Sequence, residues 1–437
     1  MAGSIQKNVV VIGASVAGHS FVNALADKLP ADHRILLVER NGFTVHLPAV
    51  VRALVVPGWE SKNLTAEVTQ ASIFKNGSRH RVLSPNSVVE LKKTSLVLEH
   101  PFEGSNEVTF VVSRCNETPT PPPPLTPLQK AIIATGASQP LPMRPTPGST
   151  LEGFKTDLVR IQKHLKAAKS IAIIGGGTVG TEVAGEISEL YPNKQLTIVH
   201  SDKGLLQPSG IASTAKEVYS PPPTDRKLSV ALEKTLKQRS VNVVLNDKVV
   251  FPSGPVSGSD WDGTSGPQGG VRRLRLQSGK SIEADYVFVS IGNTPNSGLV
   301  KAADPTALTN NNYIKVNSYF RVLPGSSSSV LAGEYYAIGD VAAVAGWKTA
   351  VAAAAEGPAL AGVIEAEIKG KKPKAYSPPA AAPLVVSLGT KEGSGYLPLP
   401  IFGNVTAPGF VIGMKTKDFF AGKSFYPRFQ GAQKISA

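Results

Sequence analysis

The sequence predicts an α/β fold with two Rossmann-like dinucleotide-binding domains, and an internal repeat is the main reason. Residues 9–12 and 171–174 are apolar runs, and each is followed by a glycine-rich turn and a helix-like pattern. Each copy then continues into a second apolar run, residues 35–38 and 196–199. Apolar runs that alternate with helices are typical of parallel strands buried on both faces.

The first glycine-rich turn has Gly13 and Gly18 at its ends, with Ala14 and Ser15 between them. Such a turn lets backbone N–H groups approach a pyrophosphate at a helix N-terminus. Ser15 stands at the motif's central glycine position, where a small hydroxyl can fit and donate. About 20 positions later Glu39 stands where an acidic side chain binds ribose hydroxyls. An ordinary strand–helix turn would look the same in a single copy.

The second turn matches the motif completely, with Gly175, Gly177 and Gly180, and Glu182 follows on the helix. His200 stands where an acidic residue would select NADH, and no arginine beside it marks a 2′-phosphate. The choice between NADH and NADPH stays open, and a capping or surface histidine is the alternative interpretation. Two dinucleotides are the simplest explanation of two such turns.

Three further strand ends predict a flavin domain that is split by a nicotinamide domain. They are Thr135-Gly136, the run 286–291 before Gly292, and Gly339-Asp340. A carboxylate at Asp340 can accept a hydrogen bond from a ribityl hydroxyl, although a plain helix cap would look the same. We therefore predict FAD-binding parts at 1–155 and 286–376, an NAD(P)H-binding domain at 156–285, and a basic C-terminal segment of α+β type at 377–437. Residues 341–355 are predicted as helix, and residues 384–388 and 410–414 as short strands.

The chain carries 46 Lys and Arg against 32 Asp and Glu, and much of the excess lies after residue 368. This basic segment predicts an anionic membrane surface first, a solvated face second and nucleic acid last. No signal peptide or long apolar run is evident, and Ala2 excludes the myristoylation pattern. We expect a cytoplasmic protein, peripheral on a membrane such as the mitochondrial outer face or a lipid droplet.

Cysteine usage limits the chemistry. Cys115 is the only cysteine in the sequence. An intramolecular disulfide and a cysteine-rich zinc site are therefore both excluded, and no metal site is predicted. The electron acceptor must be something other than a dithiol built into the chain.

Several segments resemble one family of flavoproteins. They are Phe43-Thr44-Val45-His46 with Arg52, residues 196–201, residues 313–317, and Met414-Lys415-Thr416-Lys417-Asp418-Phe419-Phe420. The chain resembles the pyridine-nucleotide–disulfide reductase superfamily. Within it, the chain has a closer resemblance to the apoptosis-inducing-factor-like and ferroptosis-suppressor flavoproteins, and a more distant one to type II NADH dehydrogenases.

The resemblance implies bound FAD, oxidation of NAD(P)H and reduction of a quinone. It implies that FAD is held by Gly13, Gly18, Glu39, Arg52, Thr135 and Asp340. The residues implied for the nicotinamide nucleotide are Gly175, Gly177, Gly180 and Glu182.

Two further residues are implied near the reacting groups. The resemblance places Lys348 near the flavin, where a cation would stabilise negative charge on the reduced ring. It also suggests His46 at the flavin or quinone pocket. A solvated lysine and a core histidine are the alternatives. Two other functions stay open: a flavin oxidase or monooxygenase on a small metabolite, and a flavin-bound signalling protein with low turnover.

Overall fold

The computed structural model describes residues 7–62, 64–109, 130–139, 143–213, 218–256, 258–379, 382–399, 401 and 403–419. Cys115 and the basic tail beyond Phe419 lie outside these residues.

The strands and helices are numbered here along the described chain. The strands are β1 (Lys7–Ile12), β2 (His33–Val38), β3 (Phe43–Val45), β4 (Thr65–Glu67), β5 (Arg81–Leu83), β6 (Val88–Leu91), β7 (Ser95–Phe102), β8 (Ser105–Thr109), β9 (Lys130–Ile133), β10 (Ala137–Ser138), β11 (Ser170–Ile174), β12 (Gln195–Val199), β13 (Asn242–Val244), β14 (Gly266–Arg275), β15 (Ser281–Val289), β16 (Thr294–Pro295), β17 (Tyr335–Ala337), β18 (Leu384–Leu388), β19 (Glu392–Leu399) and β20 (Gly403–Thr406). The α-helices are α1 (Val16–Leu25), α2 (Leu47–Ala53), α3 (Gln70–Ile73), α4 (Leu151–Ala167), α5 (Thr178–Leu190), α6 (Arg226–Gln238), α7 (Gly298–Ala303), α8 (Ala350–Ile368) and α9 (Gly409–Asp418).

The first unit is built on a parallel sheet with strand order β17-β9-β1-β2-β5. The central strand β1 is almost fully buried, as its unbroken apolar run predicts. Helix α8 packs closely on α1 at Gly357, where a Cβ would lie only 2.6 Å from the Phe21 nitrogen, so a larger residue would not fit. The sheet and these helices share one hydrophobic core.

The second unit has the sheet order β13-β12-β11-β15-β14, in which only β14 runs antiparallel to its neighbour. Its strands lie between β9 and β17 along the chain, so the second unit is inserted into the first. This confirms the predicted fold class of two Rossmann-like units. The C-terminal segment adds an antiparallel sheet of β18, β19 and β20, followed by α9.

Two local predictions for the chain after the second unit need correction. The strand at 384–388 is confirmed as β18, but the strand predicted at 410–414 is wrong, because these residues belong to α9. The apolar run favours a strand locally. Its helical form is stabilised by tertiary contacts, since Arg52 donates to the Thr416 carbonyl at the C-terminal end of α9, with an N–O distance of 2.6 Å.

The helix predicted at 341–355 is right only in its last turns. Gly339–Val341 forms a short 3₁₀ turn, and α8 begins at Ala350. Thr349 accepts a hydrogen bond from the Ala352 nitrogen at 3.1 Å and so caps the start of α8. The segment 342–349 is therefore a loop, and it carries Lys348.

Candidate dinucleotide sites

The first glycine-rich turn leads from β1 into α1 and approaches the end of β9. Gly13 has φ +105°, and a Cβ there would lie 2.5 Å from the Ala134 carbonyl oxygen. A Cβ at Gly18 would overlap the Gly13 carbonyl oxygen. Both positions therefore require glycine, and they leave the backbone amides at the start of α1 open to a ligand.

Glu39 follows β2 and organises this turn. Its carboxylate accepts hydrogen bonds from the Ala14 nitrogen at 2.8 Å and the Asn41 nitrogen at 3.1 Å. Glu39 lines a cavity, yet desolvation by burial raises the pKa of its carboxylate, and the two backbone hydrogen bonds oppose this shift. The predicted acidic residue is thus next to the turn it was predicted to serve.

A cavity of about 420 Å³ lies at this end of the first sheet. Four predicted site residues line it, namely Gly13, Ser15, Glu39 and Thr135. The Thr135 hydroxyl donates to the Asn296 carbonyl at 2.8 Å, and this hydrogen bond links the segment after β9 to the segment after β16. Residues that the sequence reasoning missed also line the cavity, among them Arg40, Asn41, Arg144 and Asn296.

Arg144 is the most informative of the missed residues. Its Nη2 pairs with the Asp340 carboxylate at 3.1 Å, and its Nη1 lies 3.2 Å from where a Cβ at Gly136 would stand. Among the described residues its buried Nε has no hydrogen-bond partner. A buried donor beside a cavity suits an anionic or hydroxyl-bearing ligand. A single arginine in an irregular loop carries no motif that could have identified it.

Gly339 and Asp340 follow the end of β17, where Asp340 contacts the cavity-lining Arg144. The Gly339 nitrogen donates to the Glu356 carboxylate at 2.6 Å, so a buried acid from α8 holds this turn. Burial raises the pKa of Glu356 and lowers that of Lys348, while the attraction between the two groups opposes both shifts. The Lys348 amine donates to the Val344 carbonyl at 3.2 Å and lies 3.4 Å from the Gly339 carbonyl oxygen.

The second glycine-rich turn has almost the same backbone as the first. Gly175 has φ +108°, and a Cβ there would lie 2.5 Å from the Ser290 carbonyl oxygen. A Cβ at Gly180 would overlap the Gly175 carbonyl oxygen, whereas Gly177 faces open space. The turn therefore has room for a ligand at its central glycine.

His200 is buried and packs under this second turn. Its Nδ1 accepts a hydrogen bond from the Gly176 nitrogen at 3.1 Å, so the proton of the neutral ring is on Nε2. Among the described residues Nε2 has no hydrogen-bond partner. Burial lowers the pKa of His200, although Asp202 and Glu233 act in the opposite direction. The ring is therefore neutral near pH 7.

A second cavity of about 250 Å³ lies where the two units meet. The second unit contributes Gly177, Thr178, Val179 and residues 288–293. Strand β15 pairs with β11, so the sheet of this unit extends past the predicted domain end at residue 285. The first unit contributes Gln139, Met143 and Lys348. The structure thus brings together Lys348 and the second glycine-rich turn, which are far apart in the sequence.

Three other predicted site residues do not line either cavity and contact the C-terminal segment instead. Arg52 is buried and pairs with Glu186 at 2.8 Å; it also donates to carbonyls near the end of α9 and to the Gly389 carbonyl. His46 bonds the Phe419 carbonyl oxygen through Nε2 at 2.8 Å. The pair with Glu186 joins the first unit to α5 of the second unit, and the other contacts join it to the C-terminal segment. None of them involves the predicted FAD-binding cavity.

Glu182 makes the same connection from the second unit. Its carboxylate pairs with Lys415 of α9 at 2.5 Å and accepts from the Ser387 nitrogen at 3.1 Å. Arg52 also stacks on the Phe419 ring, with its guanidinium carbon 4.7 Å from the ring centroid. The predicted roles of Arg52, His46 and Glu182 in ligand binding thus have no contact with the cavities to support them, and their observed contacts are between parts of the chain.

The residues at both turns fit dinucleotides. In each turn the first residue must be glycine, because a Cβ there would clash with a carbonyl oxygen. Each turn also places the backbone amides of a helix start, which have no side-chain cap, near a polar side chain that follows the second strand. The carboxylate of Asp340, after the end of β17, pairs with the cavity-lining Arg144. The fold and these sites define a flavoprotein with two dinucleotide-binding units.

The family model described as pyridine nucleotide-disulphide oxidoreductase matches residues 7–357, and the chain belongs to this family. It is an FAD-dependent NAD(P)H oxidoreductase. It is 27% identical to apoptosis-inducing factor homolog A of Dictyostelium discoideum, over 89% of this chain and 84% of that protein. It is 26% identical to ferroptosis suppressor protein 1 of Xenopus laevis, over 95% of this chain and 94% of that protein.

Among solved structures, the sulfide:quinone oxidoreductase of Aquifex aeolicus has a similar fold. The TM-score is 0.67 at 14% identity, with 99% of this chain and 93% of that chain covered. In the part of the chain that the structure describes, no helix is both long and apolar enough to cross a membrane.

Proposed function

We propose that this NAD(P)H oxidoreductase passes its electrons to a quinone-type acceptor. The observation that carries the proposal is the single cysteine, Cys115, because a redox-active disulfide within the chain needs two. The acceptor must therefore be a separate molecule. A quinone is the acceptor implied by the family resemblance, and it is also named for the Aquifex aeolicus protein of similar fold.

We assign FAD to the cavity lined by Gly13, Ser15, Glu39 and Thr135, with Arg144 as an additional ligand. The chemistry that bound FAD supplies is two-electron transfer between NAD(P)H and the acceptor. Glu39 would accept from ribose hydroxyls, and the amides at the start of α1 would face the pyrophosphate. The Nε of Arg144 would gain the partner that it lacks among the described residues.

The cavity between the units is assigned to the nicotinamide nucleotide. Gly177 and Thr178 would face its phosphates at the start of α5. Lys348 would place its ammonium group at the wall of the same cavity. A fixed positive charge there stabilises negative charge that develops during reduction, because it needs no reorganisation.

An anaerobic titration of the purified FAD-loaded protein tests the acceptor. We expect NADH or NADPH to bleach the visible flavin absorbance, and a short-chain ubiquinone to restore it within the mixing time. Dioxygen and an aromatic disulfide should restore it far more slowly. The variant Cys115→Ser is the matched control, and it should reoxidise with quinone at the wild-type rate.

Other outcomes would favour the alternative functions. A flavin that stays oxidised with both nucleotides indicates a signalling protein with low turnover. Reoxidation by dioxygen that is faster than by quinone indicates an oxidase. A slow rate in Cys115→Ser would mean that electrons pass through a thiol, and it would overturn the argument from cysteine count.

We also propose that the protein binds an anionic membrane surface and reduces the quinone there. Helix α9 exposes Phe410 and Met414, with 72% and 53% of their surface accessible, and Ile401 nearby along the chain is 88% exposed. Phe410 and Met414 are four residues apart and share a helix face. Exposed apolar side chains beside a basic segment are typical of proteins that bind the membrane interface.

Co-sedimentation with lipid vesicles tests this second part. We expect binding to vesicles that contain phosphatidylserine, weaker binding at high salt, and little binding to neutral vesicles. Phe410→Ser with Met414→Ser should reduce binding severalfold. Val351→Ser is the control, since Val351 is similarly exposed, at 64%, but lies on α8. Equal binding of both variants would contradict the proposed surface.

A further inference from the structure

Tyr219 belongs to the connection between β12 and α6 of the second unit, yet its side chain is buried against the first unit. It is only 5% exposed. Its ring packs on Tyr313 with 4.5 Å between the ring centroids. A tyrosine that crosses from one unit to the other fixes their contact at a defined point.

Hydrogen bonds anchor Tyr219 at its backbone and at its hydroxyl. The Asn311 side chain accepts from the Tyr219 nitrogen at 3.0 Å and donates to the Tyr219 carbonyl at 2.6 Å. The Tyr219 hydroxyl donates to the Gly346 carbonyl oxygen at 2.5 Å. Burial raises the pKa of Tyr219, so the hydroxyl keeps its proton as the donor.

These anchors hold the loop that carries Lys348. Gly346 is two residues before Lys348 in the segment 342–349, which has no regular helix of its own. The Lys348 amine lies 4.9 Å from the centroid of the Tyr219 ring, within the range of a cation–π interaction. The tyrosine therefore contacts both the loop backbone and the charged group at the wall of the second cavity.

We propose that Tyr219 is a positioning residue that fixes the Lys348 amine at the cavity between the two units. The nucleotide-binding unit thereby controls the place of a charge that belongs to the flavin-binding unit. The inference rests on the proposed role of Lys348 in stabilising the reduced flavin. No sequence motif marks this residue, since Tyr219 lies in a loop beside Pro221 with no nucleotide-binding pattern.

The flavin potential is the first test. Tyr219→Leu removes both the ring face and the hydroxyl, so the Lys348 amine is no longer held. We expect the equilibrium constant for flavin reduction to fall about tenfold, which is roughly 30 mV for a two-electron couple. Tyr219→Phe keeps the ring and should give a smaller shift of the same sign. In a Lys348→Met background, Tyr219→Leu should cause no further shift.

The reactivity of the lysine is the second test, and it does not depend on the flavin potential. Brief acetylation of the FAD-loaded protein, followed by mass spectrometry, should modify Lys348 severalfold more in Tyr219→Leu than in wild type. Lys130 is the internal control, because it is 2% exposed and is held by Glu334 and Glu367. Tyr396→Leu is the control variant, since Tyr396 is 6% exposed but lies in β19.

The two tests separate the inference from the function on which it rests. Unchanged Lys348 labelling in both Tyr219 variants overturns the inference, and so does a full potential shift of Tyr219→Leu in the Lys348→Met background. If Lys348→Met alone leaves the potential unchanged, the proposed role of Lys348 is wrong, and the labelling result still decides whether Tyr219 positions it. If Tyr219→Leu does not fold, Tyr219→Phe decides by the same two measurements.

Discussion

The two glycine-rich turns share their backbone but differ in the side chain beneath it. Gly13 and Gly175 have φ angles of +105° and +108°, and a Cβ at either would lie 2.5 Å from a carbonyl oxygen. In the first copy a carboxylate, Glu39, accepts the amide proton of the turn's second residue at 2.8 Å. In the second copy an imidazole, His200, accepts the corresponding proton at 3.1 Å.

We infer from this difference that the repeated backbone provides the phosphate-binding turn, and that one side chain sets the charge next to the ribose. A carboxylate only accepts hydrogen bonds and repels a phosphate. A neutral imidazole does not repel it, so the side chain at position 200 does not oppose a 2′-phosphate. We therefore expect the nucleotide site to bind NADPH as well as NADH, whereas the flavin site is built for ribose hydroxyls.

Alanine at the first glycine of each turn should give the largest effects. Gly13→Ala forces a Cβ against the Ala134 carbonyl, so FAD binding should be lost, and the free energy of unfolding should fall by about 2 kcal/mol or more. Gly175→Ala should retain the flavin and lose NAD(P)H binding. Flavin content and nucleotide titration distinguish the two.

Gly362→Ala is the matched control for this pair. Gly362 is exposed on α8, and a Cβ added there would have no atom within 4 Å, so stability should stay the same or rise slightly. Loss of flavin from Gly175→Ala would show that the two turns do not bind their ligands independently.

The next largest effect should come from Glu39→Gln. Glutamine keeps one oxygen to accept from the turn, but its NH₂ group cannot replace the second carboxylate oxygen. We expect the Kd for FAD to rise about 10- to 100-fold, since hydrogen bonds to charged groups contribute roughly 1.5–3 kcal/mol. Quenching of flavin fluorescence measures it. Glu90→Gln, at an exposed position on β6, should leave the Kd unchanged.

The repeat could be predicted from the sequence because each turn is a local pattern with one physical requirement. Gly13 and Gly175 are at the positions where the turn leaves no room for a Cβ, and Glu39 is at the end of the second strand, next to the first turn. Arg144 and Tyr219 could not be predicted in this way. Each acts through tertiary contacts with residues far along the chain, and neither lies in a patterned segment.

Tertiary contacts also explain why some residues lie in other surroundings than those predicted. Arg52 and Glu182 were implied as ligand contacts by resemblance, but both are buried against the C-terminal segment. The ion pair of Glu182 with Lys415 and the hydrogen bond of Arg52 to the Thr416 carbonyl both depend on how α9 docks, and the local pattern at 410–414 favoured a strand there. Local patterns fix which turns can bind nucleotides, while the docking of a distant segment decides which charges remain available.

A negative charge at position 200 should change the nucleotide preference. His200→Glu places in the second copy the group that the first copy has at Glu39. We expect the Kd for NADPH to rise at least about tenfold relative to that for NADH, because a carboxylate repels the 2′-phosphate. Equilibrium titration with both nucleotides measures the ratio. His164→Glu is the control, since His164 lies on α4, away from the turn.

A wild-type protein that already prefers NADH by a large factor would contradict the role given to His200. Asp202 would then be the residue to change next, because its carboxylate is close enough to influence His200. A ratio that His200→Glu leaves unchanged would likewise show that position 200 does not face the ribose.

The smallest expected effect is on the pH dependence of stability. Burial lowers the pKa of both His80, in the first unit, and His200, in the second, below the ordinary value of 6.5. Each ring accepts an amide proton through Nδ1, so protonation would break that bond. Below pH 6.5 the unfolded chain therefore binds protons that the folded chain does not, and the free energy of unfolding falls as the pH falls.

The slope should approach about 1.4 kcal/mol per pH unit for each histidine. His200→Gln keeps an acceptor for the Gly176 amide but cannot titrate, so its thermal midpoint should fall less than that of wild type between pH 7 and about 5.5. Buried acids with a raised pKa, such as Glu39 and Glu356, make the free energy of unfolding rise as the pH falls. Their contribution is the same in wild type and in His200→Gln, so it cancels when these two proteins are compared at each pH. His80→Gln should show the same reduction. Parallel curves of thermal midpoint against pH for all three proteins would mean that neither imidazole is held neutral. His200 would then not be the uncharged counterpart of Glu39.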